Sequence, residues 1–174
     1  MPNTSKSQQA MPKKIRTTSP AGVDAISLLT QDHENVKALF EKFQGLSSRA
    51  TVGKKKLADQ ICLELIKHAT AEEELFYPAV RQDGGDRLDL VDEAVVEHAA
   101  AKTLISEILA MDPGDELYDA KMKVLSEQIE HHVQEEESEM FPKARKAKLD
   151  LAALGAAIAE RKEQIALPLP SQLQ

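Results

Sequence analysis

Four blocks of apolar residues at helical spacing constrain the fold of this chain. In each block apolar residues return every three or four positions, which places them on one face of an α-helix. Turn-forming sequence separates the blocks at residues 45–53 (GLSSRATVG), 83–86 (DGGD) and 112–115 (DPGD). Long helices joined by short loops predict an all-α, antiparallel up-down-up-down four-helix bundle. An Ala- and Leu-rich block around 149–164 predicts a short additional C-terminal helix.

Histidines occupy positions in these blocks where the stripe requires an apolar residue, and two blocks add a glutamate. In the second block the stripe continues past its glutamate to Leu75 and Ala79. Burying an ionisable side chain without partners is strongly unfavourable, and six in one small core would offset much of a domain's net stability. Metal binding compensates for that burial. We therefore predict six metal ligands: His33, His68, Glu72, His98, His132 and Glu136.

The spacing of the histidines places them at one level of the predicted bundle. Residues equidistant from the loop between two antiparallel helices lie at the same height. The midpoint of His33 and His68 falls in the first loop, and that of His98 and His132 falls at the end of the third. The midpoint of Glu72 and His98 falls in the second. Unrelated core histidines have no reason to share a level, so one site formed by all four helices is predicted.

The two halves of the chain also repeat each other. HATAEEELFYP (68–78) in the first half matches HVQEEESEMFP (132–142) in the second, and each places a Glu four residues after a His, on one helix face. The first and third histidines are separated by almost the same interval of sequence as these two motifs. Two histidines and one glutamate in each half predict two metal ions bridged by Glu72 and Glu136.

The acidic neighbours of these two glutamates are predicted to be solvated charges on the helix surface. They are Glu73, Glu74, Glu135, Glu137 and Glu139. Glu137 remains an alternative to Glu136 as a ligand, because a carboxylate five residues after a His sometimes reaches the same ion. His131 lies about 100° around the helix from His132. This angle predicts a surface position for His131, with ligation as the open alternative.

Composition excludes several classes of function. The formal net charge of −7 argues against nucleic acid as the main partner, and no apolar run reaches the ~20 residues of a membrane-spanning helix. The single Cys62 excludes an intrachain disulfide and predicts a packed, inert thiol and a cytoplasmic protein. Residues 1–20 lack acids and an apolar segment, which predicts a disordered basic tail. The bundle is predicted at 21–146, the short helix at 147–166 and a second tail at 167–174.

Four imidazoles and two carboxylates combine nitrogen and oxygen donors. A structural zinc site of the cysteine type would need thiolates, and calcium or magnesium prefers sites made of oxygen alone. Two carboxylate-bridged iron ions within a four-helix bundle match this pattern, with manganese or zinc as substitutes. Coordination positions left open on such ions indicate reactivity rather than a purely structural role.

These motifs resemble the hemerythrin-like HHE cation-binding domain. The resemblance covers about residues 23–145 and rests on Asp32-His33, His68…Glu72, Glu97-His98 and His132…Glu136, with the Tyr-Pro and Phe-Pro endings. It implies a non-haem di-iron centre that binds or reacts with O₂, peroxide or nitric oxide. Binding and enzymatic turnover both remain open. A second alternative is an iron- or oxygen-responsive sensor that acts through a protein partner.

The chain departs from the oxygen-carrying hemerythrins in two places. Those proteins have a second histidine one turn after the third-helix histidine, where this chain has Lys102, and their last carboxylate follows its histidine by five residues rather than four. One iron is therefore expected to lack an imidazole, which favours redox or peroxide chemistry, or sensing, over reversible O₂ carriage. Lys37 and Lys102 either line the pocket and stabilise a bound anion, or extend their ammonium groups to solvent.

Overall fold

The computed structural model describes residues 22–83, 88–169 and 172–173, and the regular elements among them are all helical. The predicted all-α class is confirmed. The predicted basic tail at 1–20 and the Gly84-Gly85 turn lie outside the described residues. The elements are α1 (Ala25–Gln44), α2 (Thr51–Ala71), π1 (Glu72–Phe76), α3 (Tyr77–Asp83), α4 (Leu88–Leu109), α5 (Tyr118–Glu135), π2 (Glu136–Met140), α6 (Phe141–Lys146) and α7 (Leu151–Glu163).

Two long helices each contain a single π-helical turn. Helix α2 runs through π1 into α3 without a break, and α5 runs through π2 into α6. Helix α1 packs on α2, α2 on α4, α4 on α5 and α5 on α1. The four long helical segments therefore enclose a common interior.

The start of the second helix differs from the sequence prediction. The loop predicted at 45–53 ends earlier, because α2 begins at Thr51 and contains Gly53 in its first turn. A Cβ atom at Gly53 would lie 3.3 Å from Cδ1 of Leu46. Glycine therefore lets the Leu46 side chain pack closely over the beginning of α2, and the residue that suggested a loop serves the packing of a helix.

A layer of buried polar side chains divides the apolar core into two clusters. Along α1, Ile26 and Leu29 belong to one cluster, Val36 and Phe40 belong to the other, and His33 lies between them. The cluster with Val36 and Phe40, the first core cluster, also holds Cys62, which is fully buried. Burial, with a smaller contribution from Asp59, raises the pKa of the Cys62 thiol to about 12. This value agrees with the inert thiol that the sequence predicted.

The C-terminal helix α7 lies within the segment where the sequence predicted a short helix. It packs on α1 and also contacts α2 and π1. At Gly155 the backbones approach so closely that a Cβ atom would lie 2.5 Å from the carbonyl oxygen of Val23. None of the described helices is long and apolar enough to cross a bilayer.

Candidate metal centre

The structure brings all six predicted ligand residues together in the polar layer. The histidines come from four different helices, and the two glutamates are the first residues of π1 and π2. None of the six is more than 7% exposed. The common level inferred from loop midpoints is therefore found in the folded chain. The six residues and their helices are His33 (α1), His68 (α2), Glu72 (π1), His98 (α4), His132 (α5) and Glu136 (π2).

The donor atoms form two groups that are able to hold metal ions. The first group comprises His33, His68, Glu72 and Glu136, and the second comprises Glu72, His98 and His132. Nε2 of His33 lies 3.2 Å from Nε2 of His68, and Nε2 of His98 lies 3.1 Å from Nε2 of His132. Two donors that each lie about 2.1 Å from one ion, roughly 90–110° apart, are separated by about 3.0–3.4 Å. Both histidine pairs have this spacing.

The two glutamates each face histidines of both groups. Oε2 of Glu72 lies 3.1 Å from Nε2 of His68 and 3.5 Å from Nε2 of His98. Oε2 of Glu136 lies 3.3 Å from Nε2 of His33 and 3.6 Å from Nε2 of His132. Each carboxylate thus lies between the two groups, where a bridging ligand would be needed.

Each histidine ring also meets a carboxylate at its outer nitrogen. The Nδ1 atoms of the four rings lie 2.8–3.4 Å from carboxylate oxygens. A carboxylate only accepts hydrogen bonds, so Nδ1 carries the hydrogen and Nε2 of a neutral ring presents its lone pair to the interior. The pairs are His33 with Glu137, His68 with Asp32, His98 with Glu73 and His132 with Glu97.

This arrangement fits a bound cation on two further observations. Four Nε2 lone pairs and two carboxylates converge on one small volume, which is repulsive unless positive charge lies among them. In addition, Oε1 of Glu72 and Oε2 of Glu136 are fully buried and have no hydrogen-bond partner among the described residues. Buried oxygens left without donors are expected where a metal ion would supply the missing partner.

In the metal-free chain, protons take the place of such a cation. Burial lowers the pKa of His68, but Glu72 and Asp32 outweigh that effect and raise it to about 10. Burial raises the pKa of Glu136, whereas attraction to the imidazoles of His33, His132 and His68 lowers it to about 2. A metal ion that binds here at neutral pH must therefore displace a proton from His68.

The π-helical turns place the glutamates and shift the residues that follow them. The N–H groups of Tyr77 and Phe141 donate to the carbonyls of Glu72 and Glu136, five residues back. A proline follows directly in each case, and its ring would clash with the carbonyl four residues back in a regular helix. The wider turn relieves that clash. Single π turns of this kind often occur at functional sites.

The extra residue in π1 makes part of the predicted apolar stripe wrong. The sequence predicted Leu75 and Ala79 in the core, but both are only partly buried, and Phe76 and Val80 are fully buried instead. A π turn adds one residue to the helix and rotates everything beyond it by about 100°. As a result, Tyr77 also turns into the polar layer that contains the six predicted ligands, which is called the metal layer below.

Tyr77 breaks the symmetry between the two halves. It is 1% exposed, and its hydroxyl donates to Oε1 of Glu136 at 3.0 Å and lies 3.4 Å from Nε2 of His98. The equivalent residue in the second copy of the repeat is Phe141. The Phe141 ring stacks on His33 with 5.7 Å between ring centroids. A hydroxyl group therefore lies beside His98, whereas the corresponding ring beside His33 has none.

Two of the acidic neighbours that were predicted to be solvated also contact a histidine. Glu137 is exposed as predicted, whereas Glu73 is only partly exposed. Glu73 and Glu137 hold the Nδ1 atoms of His98 and His33, at 3.0 Å and 2.8 Å. Glu137 therefore lies behind an imidazole, while Glu136 points into the layer. Lys102 lines the small cavity beside the four histidines, as one of the two alternatives predicted, and its Nζ lies 2.6 Å from Oε2 of Glu73 and supports that carboxylate.

The other three predicted surface acids are exposed or partly exposed, and each has a basic side chain nearby. Glu74 pairs with Arg161, and Glu139 lies 3.5 Å from Nζ of Lys143. His131 is exposed, as predicted, and its Nε2 lies 3.5 Å from Oε1 of Glu135. Lys37 lines a groove of about 570 Å³ between α1 and α5 that reaches His33 and Glu137.

A small cavity adjoins the metal layer. Its volume is about 20 Å³, and all four histidines line it. Asp32 and Lys102 also line it, and the rest of its wall is apolar, formed mostly by residues of the first core cluster such as Val36, Leu65 and Ile105. A cavity of this size holds about one water-sized molecule.

A family comparison agrees with this geometry. Residues 24–144 match the model of the hemerythrin HHE cation-binding domain. The chain belongs to this family. The match contains all four helices that carry the histidines and ends before α7.

Two known proteins are similar to this hemerythrin-like chain. A crystal structure of a hemerythrin HHE cation-binding domain-containing protein from Mycobacterium kansasii is 27% identical, with a TM-score of 0.70 over 82% of this chain and 86% of that one. A curated relative, a DNA nickase of Nostoc sp., is 31% identical over 120 residues, which are 68% of this chain and 32% of the nickase. The hemerythrin-like chain thus spans about a third of that relative's length.

Sequence reasoning missed Tyr77 and the four carboxylates that contact Nδ1 of the histidines. The repeat in the hemerythrin-like chain does contain a signal for the carboxylates. Asp32 and Glu97 each directly precede a predicted histidine ligand. Glu73 and Glu137 each directly follow a predicted glutamate ligand. The repeat that identified the six predicted ligands therefore also relates these four carboxylates in pairs. Tyr77 has no such signal, since its partner in the repeat is a phenylalanine.

Proposed function

We propose that this chain is a non-haem di-iron protein whose centre binds or reacts with O₂, peroxide or nitric oxide. The site lies within an antiparallel up-down-up-down four-helix bundle. Its ligands are His33, His68, Glu72, His98, His132 and Glu136, with the two glutamates as bridges, and manganese or zinc could replace iron. Bound iron would supply open coordination positions and one-electron redox chemistry. The protein is also proposed to be cytoplasmic.

The small apolar cavity carries this proposal. A volume of about 20 Å³ beside all four imidazoles admits a diatomic molecule or a peroxide, but no organic substrate of ordinary size. Apart from the histidines, Asp32 and Lys102, its wall is apolar, which favours small ligands with little charge. The chain's own residues hold the imidazoles in one tautomer through the carboxylates at Nδ1, and they exclude bulk water from the layer.

The test is anaerobic Fe(II) loading, followed by metal counting and optical spectra after O₂, peroxide or nitric oxide is added. Two irons per chain and a ligand-dependent spectrum are expected. The His68→Ala and His132→Ala variants should lose iron, while His131→Ala, which changes an exposed neighbour of His132, should load as the unaltered chain does. Fewer than two irons per chain, or loading unaffected by the first two variants, would contradict the dinuclear site.

A substitution in the cavity separates metal binding from ligand access. Ala101 lines the cavity, so Ala101→Val should narrow it and slow the reaction with O₂ or peroxide while two irons remain bound. Ala58→Val is the matched control, because Ala58 is buried in the same apolar cluster and does not line the cavity. Equal rates for both variants would show that ligands reach the centre by another route.

A second candidate function is an iron- or oxygen-responsive sensor that acts through a partner without turnover. The observation that favours it is the contact between Lys162 of α7 and Asp32 beside the metal layer, because this contact connects the metal site to a helix at the surface of the bundle. Multiple turnovers of peroxide per centre would argue against the sensor, whereas a single stoichiometric reaction would favour it. DNA nicking is not proposed for this chain, because its net charge is −7 and it matches only a third of the nickase.

A further inference from the structure

A chain of contacts connects the C-terminal helix to the metal layer. Nζ of Lys162 lies 2.5 Å from Oδ1 of Asp32, and Oδ2 of Asp32 lies 3.4 Å from Nδ1 of His68. The Lys162 and Asp32 side chains are only 13% and 11% exposed. On its inner side, Nε2 of His68 lies 3.1 Å from Oε2 of Glu72. Helix α7 therefore reaches a proposed ligand through one carboxylate.

The other half of the repeat has a different partner at the equivalent place. Glu97 corresponds to Asp32, and its Oε2 lies 2.8 Å from Nδ1 of His132. Its Oε1 lies 3.7 Å from Nε2 of His131, a side chain that is 63% exposed. One half of the site thus receives a lysine from α7, and the other half faces solvent through a histidine.

Docking of α7 brings Lys162 to this position. Ile158 of α7 is fully buried in the second core cluster, which also holds Ile26 and Leu29, and Gly155 lies against the backbone at the start of α1. Arg161, the neighbour of Lys162, makes a bidentate contact with Glu74 at 2.6 Å and 3.0 Å on the exposed surface. Adjacent cations of one helix therefore make two separate contacts, and the Lys162 contact is the one that leads to a ligand.

The Asp32 carboxylate needs Lys162 in order to stay in place. It is largely buried, and its contact with His68 is long for a hydrogen bond. Without the lysine, the buried carboxylate loses its closest cation, and rotation toward water lowers its free energy. The His68 ring would then lose the acceptor that holds its Nδ1 hydrogen and directs Nε2 inward.

We propose that Lys162 is a positioning residue of the metal centre, and that metal binding and the docking of α7 stabilise each other. This inference rests on the metal site proposed above, but not on its reactivity toward O₂. Coupling between two equilibria is reciprocal: a factor by which docking tightens metal binding is the factor by which metal tightens docking. Loss of an outer partner of a metal ligand typically weakens metal binding by about 10–100-fold.

The experiment measures metal affinity and helix docking in the full-length chain. Anaerobic Co²⁺ titration against a chelator gives both dissociation constants, and hydrogen exchange of residues 151–163 reports docking with and without Co²⁺. Lys162→Met should weaken one of the two binding steps about tenfold, at the lower end of that range. Lys162→Arg keeps the charge and should restore most of the affinity. Arg161→Met is the matched control. It removes an ion pair at the exposed surface, which contributes little to docking, and it should change either constant less than twofold.

A second variant undocks α7 without touching a charge. Gly155→Val forces side-chain atoms into the backbone of Val23, Asp24 and Ala25, where even a Cβ atom would lie within 2.5–2.9 Å. Its exchange at 151–163 should be faster, and its Co²⁺ binding should weaken in the same step as in Lys162→Met. Unaltered metal affinity in an undocked helix would overturn the coupling.

The unaltered chain provides a test that does not depend on any variant folding. Exchange at 151–163 should slow when Co²⁺ binds, and equal exchange in both states would overturn the inference. Failure of Co²⁺ to bind would remove the metal centre itself and this inference with it. Co²⁺ binding and slowed exchange without any reaction of the iron form toward O₂ or peroxide would contradict only the proposed reactivity.

Discussion

Removal of the Tyr77 hydroxyl should destabilise the metal-free chain by about 1.5–3 kcal/mol, the contribution of a hydrogen bond to a charged group. The hydroxyl donates to Oε1 of Glu136 at 3.0 Å and lies 3.4 Å from Oε2 of Glu72. Both carboxylates are at most 1% exposed, so no solvent donor replaces the lost one in Tyr77→Phe. The packing volume of the ring is retained, and the change isolates the hydrogen bond.

Tyr118→Phe is the matched control. Tyr118 is equally buried, but among the described residues its hydroxyl has no hydrogen-bond partner. Removing a buried hydroxyl that donates to nothing leaves stability nearly unchanged or raises it slightly. The two variants therefore delete the same atom from two buried tyrosines, but only Tyr77→Phe should lower the unfolding free energy.

The assay is urea unfolding of the chelator-treated protein at neutral pH, followed by far-UV circular dichroism, with a thermal scan beside it. At roughly 2–4 °C per kcal/mol for a chain of this size, Tyr77→Phe should lower Tm by about 3–12 °C. Tyr118→Phe should stay close to the unaltered chain. Equal unfolding free energies for both variants would refute the role assigned to the Tyr77 hydroxyl.

Three further predictions concern the same layer. The unfolding free energy of the metal-free chain should fall as pH rises from 6.5 toward 10, because folding raises the pKa of His68 to about 10. It should also fall as pH drops from 4.5 toward 2, because folding lowers the pKa of Glu136 to about 2. A urea midpoint that stays flat across either window would contradict this. Zn²⁺ at about 100 times its Kd should add about 2.7 kcal/mol to the unfolding free energy for each ion bound, and a midpoint independent of Zn²⁺ would exclude a site in the folded chain. Metal-loaded protein should leave supercoiled plasmid intact at physiological salt, and nicking that disappears in His68→Ala would show that DNA cleavage belongs to this site.

The helical fold was accessible from local sequence because each helix buries one stripe and ends at turn-forming residues. Position 53 shows the limit of this reasoning. A glycine near a predicted loop was assigned to that loop, although the contact with Leu46 makes it part of a helix. Leu75 and Ala79 show a second limit, since a stripe at 3.6 residues per turn assumes a regular helix and π1 is not regular.

The inner residues of the site were predictable for a different reason. His33 and His98 interrupt apolar stripes, and the loop midpoints place them at one level without any knowledge of side-chain conformation. The histidine contacts of Glu73 and Glu137 were not predicted, because helix geometry alone turns both residues away from the inner stripe. Their actual partners, His98 and His33, belong to other helices. Contacts of that kind depend on how far apart the helices pack, which local periodicity does not contain.

The amino-acid order alone specified the helices, the family and the six residues that meet in the core. These depend on periodicity and spacing, which are properties of the chain in one dimension. Tertiary packing decided which nitrogen of each imidazole faces inward, which half of the repeat holds Tyr77 against the layer, and which carboxylate meets Lys162. These features depend on contacts of about 3 Å between side chains from different helices, and only packing sets such distances.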